Sequence, residues 1–150
     1  MAGEIRLWQR AEITLDGETH VLGSLRSPQT ITATNTELIN KTVNVGTAAV
    51  KVWELADMPA SSTADVGATF FWIENVGPTN FVWVQVTASQ ADGDDFMVFK
   101  LDVDEKIVFM NGGAQKDPVL DALAGTADYI EEIWALADTA AIDLKVVVAG

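Results

Sequence analysis

The sequence contains no cysteine, one histidine and no apolar run long enough to cross a membrane. Without cysteine, neither disulfide crosslinks nor thiol chemistry is available to this chain. His20 alone cannot form a zinc site without carboxylate or thiolate ligands, and no His-Glu-x-x-His pattern is present. The first residues also lack a basic segment followed by an apolar one. We therefore expect neither a signal peptide nor membrane association.

Positive charge is scarce, because 9 lysines and arginines stand against 22 aspartates and glutamates, for a net charge of −13. Such a surface repels phosphate, so we expect no direct nucleic-acid partner. The three arginines all lie within the first 26 residues, where they nearly balance the local acids. One interpretation is a charge that serves solubility. The other is a nearly neutral N-terminal arm that docks on a partner while an acidic body faces solvent.

Motifs for catalysis are also missing. The sequence has neither a Gly-x-Ser-x-Gly elbow nor a Gly-x-x-x-x-Gly-Lys phosphate loop, so we expect a protein that is not an enzyme and needs no cofactor. Two acidic clusters, Asp92–Asp95 and Asp102–Glu105, are typical of tight turns, although either could bind Ca²⁺ weakly. A hydrolase with two carboxylates facing each other across a cleft remains an alternative.

The N-terminal segment has the pattern of a β-hairpin. Asp16-Gly17 is the strongest short hairpin signal, since a type I′ turn needs positive φ at both central residues. The flanking segments 11–15 and 18–22 are predicted strands, and residues 23–28 are a predicted linker. We therefore divide the chain into an arm and hairpin, residues 1–27, and a body, residues 28–150.

The body shows a period of two and frequent turn signals. About ten short strands in the whole chain, with turns roughly every ten residues, predict an antiparallel all-β sandwich or barrel. Residues 68–76 and 81–88 are predicted to form a hairpin, and 129–137 and 141–149 a terminal pair. Asp117–Gly125 has an Asp N-cap, Pro at the first helical position and a final Gly, which predicts one short helix.

Aromatic side chains are concentrated in these strands. Five tryptophans could stack on sugars, but they are more typical of cores and subunit interfaces. Trp72 and Trp83 would be cross-strand neighbours in the predicted hairpin. Because both faces of the central strands carry apolar residues, we expect one face to meet a second sheet and the other to meet a neighbouring subunit. The residues predicted to mediate self-association are Trp72, Phe81, Trp83 and Phe99.

From Ala68 to Gly150 the chain resembles small structural proteins of tailed bacteriophages. The resemblance lies in WIENVG, a Thr-Asn break, FVWVQV, FMVFKLDVDEKIVFMN and ADYIEEIWALADTAAIDLKVVVAG. In such proteins the turn before IVFMN often carries Pro-Gly-Glu, whereas Asp102-Val103-Asp104-Glu105 stands here. The resemblance implies a jelly-roll-like sandwich of the kind found in capsid decoration (cement) proteins, which often assemble as trimers. It implies no catalytic residue.

The function expected from these observations is that of a virion structural protein. It would be made in the host cytoplasm, bind the major capsid protein on the outer capsid surface as a homotrimer, and stabilise the shell. The alternatives are a carbohydrate-binding or host-recognition module and a tail or collar component. The residues predicted to dock on the capsid are Ile5, Arg6, Leu7, Trp8, Arg10, Ile13 and Val21.

Overall fold

The computed structural model describes residues 3–15, 18–33, 38–58, 68, 70–88, 95–110 and 130–149. In these segments no helix has the length and apolar character needed to span a bilayer. A 3₁₀ turn at Leu55–Asp57 follows the fourth strand. The strands are β1 Gly3–Leu15, β2 Glu18–Ala33, β3 Leu38–Val45, β4 Val50–Glu54, β5 Phe70–Asn75, β6 Val82–Ala88, β7 Asp95–Leu101, β8 Lys106–Met110, β9 Ile130–Ala137 and β10 Ile142–Ala149.

Eight strands form two antiparallel four-stranded sheets. The first sheet has the order β3-β10-β5-β8 and the second the order β4-β9-β6-β7. Strands that follow one another in the chain lie in opposite sheets, except for β6 and β7, which pair directly. This is the strand order of a jelly roll, a sandwich built from two Greek keys. The predicted antiparallel, jelly-roll-like sandwich is therefore confirmed.

Two predicted strand pairs were wrong. Residues 68–76 and 81–88 do not form a hairpin, because β5 and β6 belong to different sheets. The same holds for the predicted terminal pair, since β9 lies beside β6 whereas β10 lies between β3 and β5. In both cases the short connection carries the chain across the sandwich, which places an apolar face of each strand against the other sheet. The helix predicted at Asp117–Gly125 lies outside the described residues.

The core lies between the inward faces of the two sheets. Along β6 the buried residues Val82, Val84 and Val86 alternate with outward-facing ones, as strand geometry requires. Trp53 of the second sheet meets Phe71 of the first edge-on, with their ring centroids 4.9 Å apart. Each large apolar side chain buried in this way contributes about 1.5–3 kcal/mol to stability. The other large side chains buried almost completely are Val45, Val52, Ile73, Ile133, Leu144, Val146 and Val148.

A buried asparagine fixes one end of the sandwich. The Nδ2 atom of Asn75 donates to the carbonyl oxygens of Asn80 (2.8 Å) and Leu101 (3.1 Å), and its Oδ1 accepts from the Gly77 N–H (3.0 Å). Its backbone bonds the turn at residues 102–105 through the Glu105 carbonyl and the Asp104 N–H. Asn75 therefore ties together two connections that cross between the sheets.

The N-terminal segment forms a separate two-stranded antiparallel sheet. Leu15 pairs with Glu18 across Asp16-Gly17, as the turn signal predicted. The predicted linker, residues 23–28, lies instead within β2, which continues to Ala33. The pairing register shifts between Leu7 and Gln9, where residues 25–28 of β2 stand opposite the single residue Trp8. They include Pro28, which has no N–H to donate to a ladder.

We predict that Asn75→Ala lowers the free energy of unfolding by about 2–3 kcal/mol, because it leaves buried backbone groups without partners. Asn44 is the matched control, since its amide bonds the Asp143 carboxylate on the surface (2.9 Å). Asn44→Ala is expected to cost less than about 0.5 kcal/mol. Urea unfolding of the two variants measures the difference, and equal effects would contradict the role assigned to Asn75.

We also predict that Gly77→Ala destabilises the sandwich by about 1–3 kcal/mol through overpacking. A Cβ atom at position 77 would lie 2.8 Å from the Cβ of Ile142. The control is Gly46→Ala, since a Cβ there meets nothing within 4 Å. Thermal unfolding should show a lower midpoint for the first variant alone.

Candidate interaction surfaces

The residues predicted to dock on a capsid lie on the hairpin arm, defined here as β1 and β2. Every arm side chain that the structure describes is exposed or half-buried. Ile5 and Leu7 are half-buried, whereas Trp8 exposes 48% of its surface. A concavity of about 430 Å³ lies beside this tryptophan, lined by Gln9, Arg10, Ala11 and Leu22 as well. Among the arm side chains that the structure describes, the exposed large apolar ones are Trp8, Ile13, Val21, Leu22 and Leu25.

The arginines predicted to pair with a partner already contact glutamates of the arm. Arg6 Nη2 lies 2.7 Å from Glu4 Oε2, and Arg10 pairs with Glu12. The hydrogen bond to Glu4 raises the pKa of Arg6. Solvent screens exposed pairs of this kind, so they contribute little to stability and a partner carboxylate can replace them at little cost.

The four residues predicted for self-association do not form one surface. Trp72 lies on the outer face of the first sheet, where it stands opposite Val147 and Val108. Phe99 faces the interior and meets Phe109 across the sandwich, with 5.6 Å between ring centroids. Phe81 and Trp83 alone lie together, 5.6 Å apart and nearly perpendicular, beside the second sheet. Trp72 and Trp83 are thus not cross-strand neighbours, because their strands lie in opposite sheets.

The outer face of the second sheet carries an apolar cleft, which we call the tryptophan cleft. Trp83 stands opposite Leu136 of β9, and Gln85 stands opposite both Trp134 of β9 and Val98 of β7. Trp83 and Trp134 are therefore diagonal neighbours on one face. The cleft between them has a volume of about 270 Å³. Its lining consists of Ala49, Trp83, Gln85, Val98, Trp134, Ala135 and Leu136.

Each outer face holds one tryptophan between a glutamate and a lysine. Trp134 Nε1 donates to Glu132 (2.8 Å), and Lys51 Nζ lies 5.3 Å from the ring centroid. Trp72 has the same arrangement with Glu74 (3.0 Å) and Lys106 (5.0 Å). Hydrogen bonds and cation–π contacts of this kind fix the orientation of a partly exposed ring.

The ion pairs beside Trp134 shift two pKa values. Lys51 Nζ contacts Glu132 at 2.6 Å and Glu54 at 2.7 Å, and these hydrogen bonds raise the pKa of Lys51. The hydrogen bond from Lys51, and to a smaller extent the one from Trp134, lowers the pKa of Glu132. Both groups therefore stay charged across the physiological range.

The polar groups of the acidic turn at residues 102–105 bond to one another and to neighbouring residues. Glu105 Oε2 accepts from the Asp102 N–H (2.9 Å), and Asp102 pairs with Lys100 (2.7 Å). Asp104 has a φ of 61°, a left-handed conformation that aspartate tolerates. Among the described residues, no group of three histidine, aspartate or glutamate side chains could hold a metal ion. Of the cluster Asp92–Asp95, only Asp95 lies within the part of the chain that the structure describes.

Comparison of the chain with known proteins identified no family for it. No family model, no curated protein and no solved structure matches this chain.

In the sequence, Trp134 stood out only as one of five tryptophans that could stack on sugars, and nothing marked Gln85, Val98 or Leu136 as site residues. The alternation of β9 could have shown that Trp134 and Leu136 share a face. The alternation could not have shown which strands lie beside β9. It was predicted to pair with β10, whereas it pairs with β4 and β6. The site therefore depends on the sheet order.

We predict that Glu132→Gln destabilises the sandwich at neutral pH and that the deficit disappears on acidification. A carboxyl whose pKa is lower in the folded chain stabilises the fold above its unfolded pKa, roughly 4.3 for glutamate. That contribution is lost as the pH falls through the lowered folded pKa. Urea midpoints measured from pH 7 down to pH 3 should show the two curves converging.

The control for this experiment is Glu18→Gln on the arm, which removes one negative charge far from Lys51 in sequence. It corrects for the general effect of reducing the net charge. A constant gap between Glu132→Gln and wild type at every pH would show that the lost contact is not ionic.

Proposed function

We propose that this chain is a virion structural protein that docks on a capsid through its hairpin arm and stabilises the shell as a decoration protein. One observation carries the proposal. The arm is a two-stranded ribbon of 13 and 16 residues with exposed apolar side chains and no buried side chain among those described. An isolated ribbon of this kind is marginally stable in water. A partner surface that covers it would supply the missing burial.

The dimensions of the arm suit a large, repeating partner. Thirteen residues in extended conformation span about 43 Å, so the arm can lie along a long stretch of a partner surface. A contact of standard size buries roughly 1,600 Å² in total. Many copies on one shell add avidity, so a modest affinity for each contact suffices. The proposed partner is the major capsid protein, which the arm would bridge.

The body supports the same proposal in a weaker way. Jelly rolls occur in viral capsid proteins, but also in lectins and cupins, so the fold favours no single function by itself. The strong excess of carboxylates in the body suits a surface that faces solvent on the outside of a particle. We also propose that the protein assembles as a homotrimer. Trp72 and Phe99 would take no part in its contact, because they lie away from the Phe81–Trp83 pair, and the contact would leave Trp83 open to solvent.

We expect Trp8→Glu combined with Leu22→Glu to abolish docking without unfolding the body. Leu22 exposes 55% of its surface, so an added charge there has little effect on the isolated chain and is costly only against a partner. Cosedimentation of purified protein with shells assembled from the major capsid protein of the same genome measures the binding. The double variant should bind at least about a hundredfold more weakly.

The matched control is Trp83→Glu, which places a charge at a similarly exposed tryptophan of the body. It should leave docking on the shell intact in the same cosedimentation assay. If the wild-type protein does not bind shells but binds purified tails or collars, its partner is a tail or collar component and not the capsid. Undiminished binding after deletion of the arm would reject the docking role.

A further inference from the structure

The tryptophan cleft has the features of a small-ligand site, and the proposed capsid docking does not use it. Trp83 exposes 41% of its surface and Val98 exposes 50%, so the cleft is open to solvent on the edge-strand side. Its volume of about 270 Å³ lies just below the range of about 300–1,000 Å³ typical of sites for drug-sized ligands. The cleft therefore fits a compact ligand.

Both rings that form the walls are held in place before any ligand arrives. Trp134 is fixed by its hydrogen bond to Glu132 and by the ammonium group of Lys51. Trp83 packs against Phe81, whose own ring lies 4.4 Å from Lys100 Nζ. Walls that need no ordering on binding reduce the entropy cost of association.

A polar group with unused hydrogen-bonding capacity lies between the aromatic walls. The Nε2 atom of Gln85 makes one long contact, 3.4 Å to the Thr87 hydroxyl. Its Oε1 has no hydrogen-bond partner in the described part of the chain. An amide offers two donors and an acceptor, so Gln85 can bond a ligand hydroxyl in either direction.

The charges around the cleft compensate one another. Lys51 contacts two carboxylates, those of Glu54 and Glu132, and Lys100 contacts Asp102. An anionic ligand would be repelled by a chain of net charge −13. A quaternary ammonium ligand would compete with Lys51, which already lies over the Trp134 ring. The charge distribution thus favours a neutral ligand.

We propose that the tryptophan cleft binds a neutral saccharide of one or two ring units. A sugar ring presents an apolar C–H face, which suits the negative faces of Trp83 and Trp134, and hydroxyl groups, which suit the amide of Gln85. A second copy of this chain fits less well, because a stable interface buries about 800 Å² on each partner. The cleft, at about 270 Å³, is a small concavity on a strongly acidic body.

The test is to screen the full chain against an array of neutral oligosaccharides of glucose, galactose, mannose, xylose and N-acetylglucosamine, and to titrate the best binder calorimetrically. Trp83→Ala and Trp134→Ala should each weaken binding about tenfold or more, and Gln85→Ala should weaken it less. Val98→Arg, which fills the open side of the cleft while keeping both tryptophans, should also abolish binding. This variant serves as the second test if Trp134→Ala unfolds the sandwich.

The matched control is Trp72→Ala, which removes the tryptophan with the same glutamate and lysine contacts from the other sheet. Its affinity for the saccharide should stay within about twofold of wild type. The proposal is overturned if no neutral oligosaccharide binds at millimolar concentration, or if Trp72→Ala weakens binding as much as Trp134→Ala. It is equally overturned if choline or inorganic phosphate binds at the cleft in place of sugars, or if Trp83→Ala only dissociates an oligomer.

Discussion

The structure depends on burying the inward faces of two sheets that cannot form independently of each other. All consecutive strands of the sandwich except β6 and β7 lie in opposite sheets, so a strand finds most of its hydrogen-bonding neighbours far along the chain. β10 pairs with β3 about a hundred residues earlier. The rows of valine, isoleucine and leucine between the sheets supply the common core on which all these distant pairings rely. Contacts such as Trp53 with Phe71 connect the sheets directly.

Because the inner faces form the core, the outer faces of the two sheets are the ones that can bind other molecules. The two outer faces share one local arrangement, a tryptophan held between a glutamate and a lysine. They differ in their neighbours along the cross-strand rows. Trp72 stands between two valines of flanking strands, whereas Trp134 shares its face with a second tryptophan and a glutamine. The second arrangement leaves a cleft with both stacking and hydrogen-bonding groups.

The two proposals assign different surfaces to different tasks. The arm carries exposed apolar residues on a ribbon that pairs with neither sheet, which suits it to lie against a large partner. The cleft lies on the body, on the outer face of the second sheet. The arm and the cleft share no residue, so docking on a particle and binding a saccharide do not compete for the same side chains.

The sequence by itself determined most of the local structure, although residues 23–28, predicted to be a linker, lie within β2. Alternation of apolar and polar residues identified the strands, and Asp16-Gly17 specified the first hairpin, because both depend on neighbouring residues alone. The sequence did not determine which strands meet. Gly77-Pro78-Thr79-Asn80 is compatible with a hairpin and equally with a crossing between sheets, and only the shared core selects the crossing. For the same reason, the separation of Trp72 from Trp83, the inward position of Phe99 and the pairing of Trp83 with Trp134 around Gln85 were decided by tertiary structure, since side chains on distant strands are brought together by sheet order.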